Sequence, residues 1–352
     1  MKDNKMQRRA RNGVASCLYC FRLILSPQKK YMRKIFPLLC LLLAGACRTA
    51  STPMASEASD TICVRLATID EAKALIAAED SYTRSRSAFD IVSRLQNPEG
   101  TIEQLDSMML DGVRRWNRAD SIALNSIVAA LNDTIRKYNI KLPLPKEIML
   151  VKSTMADEGG AAGYTRSNWI ALSHNFAEFP DEFKRELLLH EIFHVLTRLS
   201  IDFKRKMYAT IGFTVTDDEL PYPLDLKERR ISNPDVGRYD SYATFTIDGE
   251  PQKCAMLLYA TRPYVGGTFF SYLGIGLIPY DENLRPVQRG GATVVYSPQD
   301  ATDFFEKVGR NTQYIINPEE ILADNFVIAF NNRASVPTPE LRDRIRVLLL
   351  GK

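Results

Sequence analysis

The sequence predicts an α+β fold, on three observations. Apolar residues recur at helical intervals between residues 102 and 135, short β-rich runs fill residues 207 to 300, and helical segments close the chain. The first of these rests on two stripes: Ile102, Leu105, Met109, Val113 and Trp116, then Ile122, Leu124, Ile127, Val128, Leu131 and Ile135. Their spacing of mostly three and four residues predicts two or three core-facing helices.

Pro143 and Pro145 then turn the chain into a strand near Glu147 to Ser153. The cluster Gly159-Gly160-Ala161-Ala162-Gly163 reads as a hairpin turn, since it lacks the Gly-Lys-Ser/Thr ending and the following helix that a phosphate loop requires. A second strand follows near Tyr164 to Ser173. Its segment Asn168 to Ser173 suits either an edge that pairs with an extended peptide or an ordinary interior strand. A helix from about Pro180 to Leu199 comes next. The β-rich runs YATFTI, CAMLLYAT, GTFFSYLGIGL and ATVVY are separated by Asp248-Gly249, Gly266-Gly267 and Gly290-Gly291, and helices near Pro318 to Phe330 and Pro339 to Leu350 end the chain.

The 352 residues carry a formal charge of +4, but residues 1 to 46 hold ten Lys/Arg against the single acid Asp3. The remainder, with 36 basic and 41 acidic residues, is acidic and has no basic block, which argues against a nucleic-acid partner. The basic segment reads as an export leader. Met32, Arg33 and Lys34 precede an apolar run from Ile35 to Ala46, which at twelve residues is too short for a permanent span. The true start is therefore expected at Met32, and the Cys17/Cys20 pair before it has no second pair or nearby His to make a metal knuckle.

Leu-Leu-Ala-Gly-Ala-Cys, ending at Cys47, resembles the bacterial lipoprotein lipobox, although Ala44 fills the commoner leucine position. Ala44-Gly45-Ala46 also suits the ordinary signal peptidase. The lipobox reading makes Cys47 the lipid-attachment residue, residues 47 to 65 a tether and residues 66 to 352 one folded domain. The protein would then be exported and anchored to the bacterial cell envelope on its periplasmic side. Of the six cysteines, Cys63 and Cys254 remain once the leader and Cys47 are set aside, and they read as two separate buried thiols or as a disulfide.

The chain has three histidines, and two of them stand in HEIFH, at His190 and His194, with Glu191 between. Four residues apart on a helix, the imidazoles project from one face at the separation that a single zinc ion bridges. Leu187, Leu188, Phe193, Leu196 and Leu199 mark this helix as buried. A catalytic ion needs a third protein ligand, yet the HExxHxxGxxH pattern is absent and no histidine follows His194, so the third ligand is a carboxylate or is missing. The best candidate lies in EEILADNF, where Glu320, Ala323 and Asp324 share a helical face. Glu320 also stands three residues after Asn317, where a glutamate commonly completes a capping box.

HEIFH together with E-I-L-A-D resembles the gluzincin zinc metallopeptidases, including thermolysin and the CAAX-prenyl proteases. The resemblance covers some 25 residues around the two motifs, and the 125 residues between His194 and Glu320 exceed the thermolysin spacing. It implies a zincin-like metallopeptidase domain with N-terminal helices, an active-site helix on a small sheet and a β-rich insertion at about 207 to 300. It further implies one Zn²⁺ held by His190, His194 and Glu320, with Asp324 orienting His190, Glu191 as general base and a peptide or protein as substrate. On this reading Glu319 is dispensable. His174, Tyr239 and Tyr242 are candidates to stabilise a developing oxyanion. The competing reading is a non-catalytic envelope lipoprotein whose domain serves binding or assembly.

Overall fold

A computed structural model describes residues 59–352, and its architecture is mixed α+β. The leader, Met32 and Cys47 lie outside the described residues. Strand β1 (Val64–Leu66) is followed by helices α1 (Ile69–Ala77), α2 (Ser81–Ser85), α3 (Ala88–Arg94), α4 (Ile102–Asp111) and α5 (Arg118–Tyr138). Each begins on a polar cap of Thr68, Asp80, Ser87, Thr101 or Asn117 whose side chain accepts the N–H three residues on. The first helical stripe outruns its helix, and the second lies wholly within α5. Helix α4 stops at Asp111, leaving Val113 to bridge Ser153, and Ile122 faces solvent while Leu124, Ile127, Leu131 and Ile135 are buried.

β2 (Ile148–Ser153), β3 (Gly163–Arg166) and β4 (Trp169–Ser173) join β1 in a sheet of order β1-β2-β4-β3. β1 and β4 both run parallel to β2, and β3 runs antiparallel to β4 at the sheet's edge. This corrects one expectation and decides between two others. The hairpin turn is Ser167-Asn168, between β3 and β4, while the glycine cluster leads from a turn of 3-10 helix at Ala156–Glu158 into β3. The segment Asn168 to Ser173 supplies an interior strand, because β2 and β3 pair with its two edges, and both its faces are covered as well. Ile170 and Leu172 join the core beneath the following helix, whereas Trp169 and Ala171 pack with Leu105, Met109 and Ile76 on the opposite face. The residues expected as a tether up to 65 are partly folded: Ser59 bridges Leu144, Ile62 is buried, and β1 pairs with β2.

α6 (Asp181–Leu199) carries HEIFH, and it packs on β3 and β4. Leu188, Leu189, Ile192, Phe193, Val195 and Leu196 are all fully buried, so the middle of the helix is enclosed, and its exposed residues are Asp181 and Glu182 at the start and Leu199 at the end. α7 (Ile201–Ala209) follows at once and occupies the beginning of the stretch expected to be β-rich. Beyond it, β5 (Phe213–Val215), β6 (Ser241–Ile247), β7 (Glu250–Ala260) and β8 (Leu273–Pro279) form an antiparallel sheet in that order, with the small pair β9 (Gln288–Arg289) and β10 (Ala292–Thr293) after it. Short α8 (Phe304–Val308) leads to α9 (Pro318–Phe330) and α10 (Pro339–Leu349). One core joins the two larger sheets and the helices between them, running from Leu150 and Ile170 through Phe193 to Phe245 and Phe326. Cys254 is buried in it and Cys63 is exposed, and both are free thiols.

Candidate metal centre

Helices α6 and α9 pack against each other, and buried Ala323 leaves room for their approach. On α6, His190 and His194 stand one turn apart with ring centroids 4.8 Å from each other. On α9, Asn317 caps the helix by accepting the Glu319 N–H and Pro318 takes the first position. Glu320 takes no part in the cap. Its Oε2 lies 3.1 Å from Nε2 of His190 and 3.6 Å from Nε2 of His194. The structure thus brings together His190, His194 and Glu320, with their ligand atoms within 4.8 Å of one another.

The far sides of both imidazoles are held by carboxylates. Nδ1–H of His190 donates to Oδ1 of Asp324 at 3.1 Å, and Nδ1–H of His194 donates to Oε1 of Glu319 at 3.1 Å. Asp324 is itself held by the Thr312 hydroxyl, and Glu319 by the hydroxyls of Thr197 and, at 2.6 Å, Tyr208. An imidazole that donates from Nδ1 to a carboxylate turns its Nε2 lone pair the other way. Here both Nε2 atoms turn towards one Glu320 oxygen. Nε2 of His194 is fully buried and has no hydrogen-bond partner. Facing lone pairs around an ionised oxygen repel unless a cation or protons stand between them, and a buried orphan nitrogen is costly. The donor set of two imidazole nitrogens and one carboxylate oxygen fits zinc. Burial opposes charge on His190, but hydrogen bonds with Asp324 and Glu320, reinforced by their charges, hold its pKa well above the usual imidazole value.

Glu191 is buried on the side of α6 that faces β3. The Thr165 hydroxyl donates to its Oε2 at 2.8 Å, and Gly163, without a side chain, leaves space for its carboxyl. Burial, and next the charge of Asp235, push the Glu191 carboxyl up to about 8 against the pull of His194 and His190. A cation beside it would bring that value down towards neutrality.

Three participants carry no local signal in the sequence. Glu319 was expected to matter little, yet it is the buried partner of His194, because α9 turns its first-turn carboxylates inward. Asn233 donates from Nδ2 to Oε1 of Glu320 at 2.6 Å, and Asp235 accepts the Thr165 N–H at 2.6 Å on its Oδ1. Both come from a loop that reaches the site across 70 residues or more of chain. The three candidates for oxyanion stabilisation lie elsewhere. His174 is exposed at the end of β4, Tyr239 packs against Tyr222 and Arg230, and Tyr242 lies against Lys253.

Compared with known protein families, curated proteins and solved structures, the chain matches none.

Proposed function

We propose that the protein is a zinc-dependent metallopeptidase of gluzincin type, exported and lipid-anchored through Cys47 to the periplasm-facing side of the bacterial cell envelope, acting on peptide or protein substrates. The observation that carries the catalytic reading is the convergence of both histidine Nε2 atoms on Glu320 while Asp324 and Glu319 occupy the two Nδ1 sides. A scaffold site prefers four protein ligands and needs no buried carboxylate beside them, and Glu191 is such a carboxylate.

His190, His194 and Glu320 would hold the ion. When bound, zinc supplies a Lewis acid that makes a water nucleophilic near neutral pH and polarises a carbonyl. The chain supplies the rest. Glu191 Oε1 takes the proton of the attacking water and passes it to the leaving amine, while Thr165 fixes its Oε2. Asp324 and Glu319 hold the two imidazoles in the tautomer and orientation that ligation requires.

Glu191→Gln tests the reading, because the amide keeps the shape and removes the base. The variant is expected to retain zinc and to hydrolyse a denatured protein substrate roughly 10² to 10⁴-fold more slowly. Hydrolysis at the wild-type rate, or none by either protein, sinks the peptidase reading. The second result would favour a binding or assembly role.

A further inference from the structure

The loop that brings Asn233 and Asp235 to the site is anchored on both sides. The Ser232 N–H donates to both carboxylate oxygens of Asp90, and the Ser232 carbonyl accepts from Arg94, so α3 clamps this residue on its two backbone groups. Asp90, Arg94 and Ser232 are all buried. Further along, Arg198 of α6 donates to the Pro234 carbonyl at 2.5 Å and lies against Gly237, where a Cβ would stand 3.1 Å from its Nε. Between these anchors the Asp235 N–H and the Val236 N–H turn back on Asn233, closing a tight loop.

This loop lies along the free edge of β3. Tyr164 and Arg166 pair with β4 across a two-residue hairpin, so the N–H of Thr165 points away from the sheet. That donor is what an extended peptide would use to add itself to the edge. The Asp235 carboxylate already holds it. The same carboxylate comes within 4.8 Å of the ligand atoms of His194 and Glu191. His194 also carries the Nε2 that is fully buried and without a hydrogen-bond partner. Two imidazoles and Glu320 leave a fourth position on a tetrahedral ion, and the further carboxylates grouped with His194 are those of Glu191 and Asp235.

We propose that Asp235 is an internal ligand and substrate mimic. Its carboxylate competes for the fourth position of the metal centre and occupies the peptide-pairing donor of β3, so that the wild-type chain hydrolyses peptides measurably but below its capacity until the strap of Asn233, Pro234 and Asp235 is moved aside. This rests on the metallopeptidase reading above.

The test uses the full chain loaded with Co²⁺ in place of zinc, comparing wild type with Asp235→Asn and Asp235→Ala. The asparagine variant keeps the shape and an acceptor for Thr165 while losing the carboxylate, which protects the fold. Its visible cobalt spectrum is expected to change, its zinc affinity in competition with a chelator to fall about 10-fold, and its peptide hydrolysis to rise by about the same factor. Asp235→Ala is expected in addition to speed amide exchange at Thr165. Identical cobalt spectra and zinc affinities in wild type and Asp235→Asn overturn the inference while leaving the metal centre intact. Absence of bound metal from wild type and both variants defeats the metallopeptidase reading itself, and the inference with it.

Discussion

A Cβ placed on Gly163 would stand 2.9 Å from Oε1 of Glu191. No other residue type fits there without moving the carboxyl, which Thr165 pins from its other oxygen. The backbone of Gly163 is ordinary extended strand paired with Leu172, so alanine presses first on this carboxyl and next on the Ala171 carbonyl oxygen at 3.3 Å. Gly163→Ala is therefore expected to keep the fold and the metal while lowering kcat/KM about 10 to 100-fold, the cost of displacing a reacting group by a fraction of an ångström or more. Metal content, melting temperature and steady-state kinetics on one preparation check it. Wild-type kinetics would show that Glu191 is not held where the chemistry needs it.

Glu319 tests the hydrogen-bonded frame around His194. Removing its carboxyl leaves the His194 Nδ1–H, Thr197 and Tyr208 without their shared partner in a buried setting. Glu319→Ala is expected to weaken zinc binding about 10 to 100-fold and to lower the melting temperature, whereas Glu319→Gln, which keeps an acceptor, is expected to recover most of the stability. Chelator competition and thermal melts read the two effects separately.

Asp324→Ala is expected to weaken zinc binding about 10 to 100-fold as well, by freeing the ring of His190. Glu320→Ala is expected to reduce it further, since it removes a proposed ligand rather than a ligand's support. Equal affinities in Glu320→Ala and wild type would mean that the third ligand is misassigned.

What the sequence made legible is what neighbours in sequence decide. His190 and His194 share a helix face because four residues make about one turn, and Asp324 follows Glu320 by the same rule. Glu319 escaped because its neighbours give it a helix-start role, while its actual partners His194, Thr197 and Tyr208 lie more than 100 residues away. Sheet order was hidden for a like reason. The apolar run of β4 shows that both faces are covered, but only pairing with β2 and β3 shows which strand is left at the edge. Asn233 and Asp235 stand in a segment rich in turn formers, and nothing in that composition says that it will cross the mouth of a site built by other elements.

Glu158 gives a pH dependence independent of the metal. Burial, opposed chiefly by the charge of Arg94, pushes its carboxyl up to about 7 from an ordinary 4.5, beside Tyr82 and Asp157. A folded chain that binds this proton more tightly than the unfolded chain is favoured by Glu158 at low pH, and that contribution is lost as pH rises from about 4.5 to about 7. Glu158→Gln removes the titration. Denaturant melts of the two proteins across that range are expected to show a shallower fall with rising pH in the variant, and identical slopes would contradict the assignment.

The metal centre stands or falls on whether His190, His194 and Glu320 hold one zinc ion. Elemental analysis of the purified full chain, paired with His194→Ala, measures this most directly. One zinc per wild-type chain, removed by a chelator and lost from His194→Ala, is the result expected. A wild-type chain that takes up no zinc even when the ion is supplied, or a His194→Ala variant that binds zinc as the wild type does, would contradict it.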